Sequence, residues 1–587
     1  MLTKLSVDQA LIKAKSYTKK GELVEAYKIY QSILKIFSKN KRAKDGLNSL
    51  SKVIQNDIKL SVVPKEVINQ LTNLYNLGQF SLVYKKARSH IKKYPEEFIL
   101  WNIIGVSAVQ IGKLEQGIIA FKKVISINPD YADAYNNMSV ALKNQGKLTE
   151  AIDACKKALK VKPNYADAYN NLGNALKDQG KLQEAIDAFK KAIFFDANHA
   201  YAYNNMGNIL LDRGMVELAI DTFRKALTIN PNFALACNNL GNAYKDQGKL
   251  DKAIESYKQS ISLDPNYADA HLNLSLCLLQ TGQIKEGLEE YEWRWKTKKG
   301  LLRQRHFRKP QWDSQTKLKD KTILIWSEQG IGDTINWSVY LPFISSQVKH
   351  VILECPKKLV PLLSRSFPNI EVKAQDRSKD IERDDFDFHL PMGSIYKNFI
   401  DEIMNNNFDN AYLIPDPERV KFWQNRLHSL GKGLFVGISW KSSNMSPDRL
   451  QNYLSISDLY PILKMPNLTF INLQYTDYEN DISKVEDELG ITIHNFSDID
   501  HFDDLLDVAS LCSALDITIT NKNSLSFISA SVGTSTKLAN WKQSAWNNIL
   551  LNPVGPLVKK FERNSWESWK NTINSIRNDI KISNIQG

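Results

Sequence analysis

The sequence predicts two architectures in one chain: a solenoid of paired helices over the first half, then an α/β region built from two sets of alternating strands and helices. Three observations lead there. Five asparagines, Asn137, Asn171, Asn205, Asn239 and Asn273, recur at steps of 34 residues, and a fixed period of that length marks stacked helical hairpins that cannot bury their apolar faces alone. From Thr322 onward short apolar runs alternate with helix-like stretches, as in a parallel sheet with crossover helices. Finally, 587 residues are too many for one core.

The repeat unit reads ADAYNNLGNALKDQGKLQEAIDAFKKAIFFDANH at 166–199, and its neighbours overlay it without gaps. Regular units run 98–131, 132–165, 166–199, 200–233 and 234–267, with a partial one from Ala268 to about Trp295. Divergent units fit 64–97 and about 7–40, around Gly21, Ala26 and Tyr30, and 41–63 reads as an extra helix and linker. Small residues (Gly173, Gly207, Gly241; Ala151, Ala185, Ala219, Ala253) stand where helices cross, and Phe189, Phe223 and Tyr257 plug the crossings. Pro129, Pro163, Pro231 and Pro265 cap most units, and Gly146, Gly180, Gly214 and Gly248 occupy the hairpin turns, where the backbone needs glycine. This set of positions resembles the tetratricopeptide repeat. The asparagine row is expected to hydrogen-bond the backbone of an extended polypeptide; the competing account is residue drift after recent duplication.

Composition limits the rest. A hydrophobic fraction of 43% with 10% aromatics is that of a folded protein. The N-terminus lacks the apolar core of a signal peptide and no apolar run is long enough to span a bilayer, so a cytoplasmic protein is expected. Cys155, Cys237, Cys277, Cys355 and Cys512 form no CxxC pair and read as buried free thiols. The net charge of +13 is spread thinly, without a basic helix or an RNA-binding signature, so nucleic acid is not an expected partner.

After the repeats the period changes. EWRWKTKKGLLRQRHFRKPQ (292–311) reads as a solvated helix and turn at a junction. A strand Thr322–Trp326 leads to the turn Gly330-Ile331-Gly332-Asp333 and a helical stretch ending near Pro342, then apolar runs at His350–Glu354, Ile370–Val372 and Phe386–His389. A second set begins at Leu434 with LFVGISW, a helix at about 457–464, LTFINLQY, ITIHNF, a helix at about 503–514, DITIT and a helix at about 524–532. Expected boundaries are 1–63, 64–295, a connector 296–318, a first Rossmann-like half 319–414, a bridge 415–432 and a second half 433–587. Two such halves put a ligand cleft between strand carboxyl ends, with the loops after Trp326 and Trp440 facing each other.

EWRW, WSEQGIGDTINWSVYLP and the run from VGISWKSS to SALDITIT resemble the glycosyltransferase-like domain that follows repeats in many bacterial proteins. That domain is related to the family 9 glycosyltransferases, which include the lipopolysaccharide heptosyltransferases. The likeness covers roughly residues 290–580 and implies a GT-B fold. It also implies metal-independent transfer of a sugar from a nucleotide-diphosphate donor, with no other cofactor. By resemblance Asp333 is the general base, and a carboxylate at a helix N-terminus can accept the acceptor hydroxyl's proton; the alternative is that it only caps that helix. Lys441 and Arg449 follow the strand ending at Trp440, where the family places a cation against donor phosphates. Gly330 and Gly332 form the donor turn, Glu328 and Gln329 are acceptor contacts, and Asn523 and Ser524 start a helix that can hold a diphosphate.

The chain departs from the family's Asp-Thr-x-x-x-His stretch, with Lys522 in place of the acid and Phe527 in place of the histidine. Asp385/Asp387 and Asp498/Asp500 read as loop caps, and His389 and His494 have no second histidine at ligand spacing, so no metal is expected. The combined expectation is a bacterial transferase whose repeats hold a polypeptide acceptor. The repeat half resembles that of the O-linked N-acetylglucosamine transferases. Two alternatives stay open: a scaffold with a degenerate transferase domain, and a cell-surface carbohydrate transferase whose repeats serve oligomerisation.

Overall fold

The computed structural model describes residues 6–61, 63–400, 411–442, 453–541, 557–563 and 567–586. The chain divides into two compact units, residues 1–206 and 207–587.

In the first unit antiparallel helix pairs follow one another: Val7–Lys19 with Leu23–Ile36, Lys65–Asn76 with Phe80–Ile91, Phe98–Gln110 with Leu114–Ile127, Ala132–Asn144 with Leu148–Val161, and Ala166–Asp178 with Leu182–Phe195. The expected extra helix is Lys41–Ser61. The sequence signals for this packing hold. A Cβ added to Gly173 would stand 2.6 Å from the Phe189 ring, so glycine is what lets the fully buried phenyl seat against the helix. The hairpin turns at Gly146 and Gly180 have φ of 77° and 82°, in the left-handed region that only glycine enters freely.

The second unit begins with further pairs of the same kind, Leu250–Leu263 packing on Ala234–Asp246 and Ile284–Tyr291 on Ala268–Gln280. It continues into two sheets. The first contains β1 (Thr322–Trp326), β2 (His350–Cys355), β3 (Glu371–Ala374) and β4 (Phe388–Pro391), in the order β3-β2-β1-β4. The second contains β5 (Leu434–Ser439), β6 (Leu468–Asn472), β7 (Ile493–His494), β8 (Ile517–Asn521), β9 (Ser535–Trp541) and β10 (Val558–Arg563), in the order β10-β9-β8-β5-β6-β7. Every pairing is parallel. Parallel strands covered on both faces read as unbroken apolar runs, which is why β1, β2 and β5 were legible as such.

Three details differ from expectation. β4 starts two residues later than Phe386, because that ring packs with Leu324, Trp326 and Ile352, and Asp387 Oδ2 accepts from the Thr322 N–H at 2.9 Å to set the register. The helix Ile331–Ser338 ends before Pro342, and the proline sits in the first turn of a second helix, Leu341–Ser345, where its missing N–H costs nothing. β9 and β10 extend the second sheet beyond the expected strands.

The connector is helical over Glu292–Lys296 and Lys298–Leu301 and exposed over Leu301–Gln304, as expected, but it is not solvated throughout. Arg294 and Arg305 are 7% and 4% exposed. Arg305 donates to Asp380 Oδ2 at 2.9 Å and to Glu354 Oε2 at 2.6 Å, and Arg383 also bonds Glu354. These buried pairs hold the connector against the carboxyl side of β2.

Candidate functional site

The chemistry-bearing residues gather where strands end. After β1 the chain turns through Ser327–Gly330 into the helix Ile331–Ser338. Ser327 N–H donates to Glu354 O at 2.8 Å, and Thr334 N–H donates to Gly330 O at 3.0 Å. Asp333 Oδ2 accepts from the Gly330 N–H at 3.3 Å, capping its own helix. Asp333 is half-buried. Gly332 meets the second half: a Cβ there would lie 2.8 Å from the Phe527 ring and 3.5 Å from Ser524 Cα. The glycine turn and the start of the helix Ser524–Ser531 thus converge, with Phe527 (5% exposed) filling the space over the turn.

Glu328 is not an open acceptor contact. It is 7% exposed and chelated by Arg294, whose Nε donates to Oε1 at 2.9 Å and Nη2 to Oε2 at 3.2 Å. Arg294 also donates to Ser394 Oγ at 2.8 Å and Glu292 Oε1 at 2.6 Å. Burial pushes the Glu328 carboxyl up, and Arg294 works against that shift. Gln329 Nε2 donates to Tyr291 Oη, tying the turn to the last repeat helix. Around this contact lies a cavity of about 220 Å³ lined by Leu272, Leu276, Tyr291, Trp295, Glu328 and Gln329.

In the second half a buried amide network locks the strand ends. Gln474 Oε1 accepts from the N–H groups of Trp440 and Lys441, both at 3.0 Å, and its Nε2 donates to Lys441 O at 3.0 Å. Asn521 Nδ2 donates to Trp440 O at 3.1 Å. Asn523 Nδ2 donates to Ser439 Oγ at 3.1 Å, and its Oδ1 accepts from the Ser526 N–H at 3.3 Å. Asn523 therefore caps its helix from a buried position (7% exposed) and does not offer its side chain to a ligand, whereas Ser524 is half-exposed at the helix start. Lys441 is not a bare cation either: its Nζ pairs with Asp481 Oδ2 at 2.9 Å, the oxygen that also accepts from Trp440 Nε1 at 2.8 Å. Arg449 lies outside the described residues.

Sequence reasoning missed Gln474 and an aromatic pocket beyond β6 and β7. That pocket, about 430 Å³, is lined by Tyr475, Tyr478, Ser497, Asp500, His501 and Phe502. Neither ring nitrogen of His501 has a partner, and burial, opposed by Asp500 and Asp507, lowers its pKa to about 4. The clustered aromatics in LQYTDY and DIDHF were the available signal. Asp500 caps its loop, accepting from the N–H groups of Phe502 and Asp503 at 2.9 Å, and Asp387 does so at β1; Asp385 and Asp498 instead pair with Arg383 and Arg426.

The asparagine row is engaged between repeats. Asn137 Nδ2 donates to Asn102 Oδ1 at 3.4 Å, Asn171 to Asn136 at 2.8 Å, Asn205 to Asn170 at 3.0 Å and Asn273 to Asn238 at 2.9 Å. Asn239 is 8% exposed. The phase of the row thus has a structural cause in these amide pairs between neighbouring repeats. The five cysteines are buried free thiols.

Fold and site define a helical-repeat chain joined to a parallel α/β region, and comparison with known proteins identifies the repeats. Residues 141–180, 207–248 and 241–282 match a TPR repeat profile, and 99–131, 120–153 and 166–199 match tetratricopeptide repeat profiles. Protein FlbA of Caulobacter vibrioides is 30% identical over 286 residues, 46% of this chain and 48% of FlbA, so the alignment spans about half the length of that relative. Among solved structures, MamA is 28% identical, covering 28% of this chain and 97% of its own, with a TM-score of 0.25. The Cut9-Hcn1 assembly is 20% identical, covering 50% of this chain and 53% of its own, with a TM-score of 0.35. No helix among the described residues is long and apolar enough to cross a membrane.

Proposed function

We propose that the chain transfers a glycosyl group from a nucleotide-diphosphate sugar to a polypeptide held by its repeats. The observation that carries this reading is the junction cavity. Leu272 and Leu276, on the helix that bears Asn273, line it together with Gln329, and the glycine turn with Asp333 follows immediately. An acceptor lying along the helix Ala268–Gln280 would meet Gln329, in the turn that leads to Asp333. In the transfer step the acceptor hydroxyl oxygen bonds to the anomeric carbon and its proton goes to Asp333. The bond to the diphosphate breaks, and the leaving group departs with the electron pair. The first-turn N–H groups of the helix Ser524–Ser531 favour that anion, and the Tyr475, Tyr478 and Phe502 pocket offers faces on which a nucleobase can stack.

A second reading, an interaction protein without catalysis, is favoured by Phe527 covering Gly332 and by Lys441 being paired with Asp481. Isothermal titration of the full chain against a panel of nucleotide-diphosphate sugars separates them. Saturable binding by one donor, weakened by Tyr475→Ala, supports the transferase. Silence across the panel supports the interaction protein.

A further inference from the structure

The helix Phe80–Ile91 and the turn at Ile111–Lys113 bound a groove of about 570 Å³ whose lining includes Ser81, Tyr84, Lys85, Arg88, Lys92 and Lys113. No carboxylate lines it. Its four cations are exposed, and none is ion-paired among the described residues. Tyr84 forms the floor: the residue is 8% exposed, with the Arg88 guanidinium 5.6 Å and Lys113 Nζ 4.9 Å from its ring centroid. Other second helices of the repeats carry their own acids, Glu150 and Asp153, Glu184 and Asp187, Glu217 and Asp221, Asp251 and Glu255. The helix Phe80–Ile91 has none, so it is a basic helix that the charge count along the sequence did not single out.

We infer that this groove receives an acidic segment of a partner polypeptide, at a site separate from the asparagine-bearing helices. Lys85, Arg88 and Lys92 share one helix face, and at ~1.5 Å per residue they span about 10 Å. An extended chain covers that distance in about three residues at ~3.3 Å each, so alternating carboxylates would meet successive cations. Unpaired exposed cations attract anions over about one Debye length, and the tyrosine floor adds apolar contact beneath the bound backbone. Four cations over so short a span suit a short acidic stretch; a duplex offers a phosphate every ~1.7 Å along its axis and calls for a longer basic stripe.

The test uses the full chain and fluorescence anisotropy with a fluorescein-labelled (Glu-Gly)₅ peptide, a (Gln-Gly)₅ control and a labelled DNA duplex. The Glu peptide should bind and the Gln peptide should not. Arg88→Glu with Lys92→Glu should weaken binding about tenfold or more, and Arg88→Gln with Lys92→Gln should weaken it less. Lys156→Glu with Lys160→Glu on the helix Leu148–Val161 changes net charge equally and should leave affinity within about twofold, because electrostatic attraction is local at ordinary ionic strength. Far-UV circular dichroism melts of each variant identify any that is misfolded, in which case the glutamine pair decides. Equal loss from both reversal pairs, no binding of the Glu peptide, or tighter binding of the duplex that is lost with the Arg88/Lys92 reversal would each overturn the inference.

Discussion

Gly332→Ala is the smallest change that probes how the two α/β halves meet. The added methyl would stand 2.8 Å from Phe527 Cδ2 and 3.1 Å from Cε2, closer than such contacts tolerate. The ring is 5% exposed and cannot swing into solvent. Gly332 is not in the left-handed region, so the cost is steric and comes from that contact. Overpacking of this kind costs about 1–3 kcal/mol. Phe527→Ala removes the obstacle and by itself costs about 3–5 kcal/mol through the cavity it leaves. In the double variant the methyl partly refills that space, so the combined cost should fall short of the sum by about 1–3 kcal/mol. The assay is amide hydrogen exchange of the helix Ile331–Ser338 by mass spectrometry, which reads local opening free energies in a chain of several cooperative units. Additivity within about 0.5 kcal/mol would refute the convergence of the glycine turn with Phe527.

Three further outcomes are expected. Alanine at Asn171, Asn205 and Asn273 should lower the helical melting transition, because Asn136, Asn170 and Asn238 are 6%, 9% and 4% exposed and an unsatisfied buried acceptor costs about 1–3 kcal/mol; unchanged melting would return those amides to partner binding. Arg305→Ala strips the counter-charge from Glu354 and Asp380 and should cost about 3–5 kcal/mol, read as early loss of near-ultraviolet dichroism on heating. His389 Nδ1 accepts from Trp326 Nε1 at 3.3 Å, and burial, aided by the Arg305 charge and opposed by Asp380, lowers its pKa from 6.5 to about 4. A depressed histidine binds fewer protons folded than unfolded. Its stabilising share is therefore complete above pH 6.5 and fades as pH falls toward about 4, by at most ~3 kcal/mol. His389→Phe should flatten that part of the pH–stability curve, and an unaltered slope would assign it to other groups.

The repeats were legible because their constraints are local and recur: the pairing of Gly173 under Phe189 has counterparts in most regular units, and the turn glycine, Gly180 at φ 82°, in all of them. The parallel strands were legible as apolar runs. β9 was not, since STKLANW is rich in polar residues whose burial depends on distant partners. Ser529 Oγ meets Thr536 Oγ1 at 3.0 Å, and Lys537 pairs with Asp579 at 2.8 Å. The connector arginines misled for the same reason, as Glu328 and Asp380 lie 34 and 75 residues away in sequence. At the site, sequence placed Asp333 and Ser524 near the convergence. It had no signal that Gln474 and Asn523 would be enclosed in an amide lattice, or that Lys441 would find Asp481.

The central claim is transfer chemistry at Asp333, and radiolabelled sugar transfer by the full chain tests it most directly. The assay incubates wild type and Asp333→Asn with each labelled nucleotide-diphosphate sugar and a bacterial lysate, then counts label in protein. The substitution keeps the side chain's size and its carbonyl cap on Gly330 but removes the proton acceptor. Wild type should label protein, and Asp333→Asn should bind donor within a few-fold while labelling about 10²–10⁴-fold more slowly. Full activity in Asp333→Asn would place the base elsewhere, and no label from wild type with any donor would contradict the transferase account.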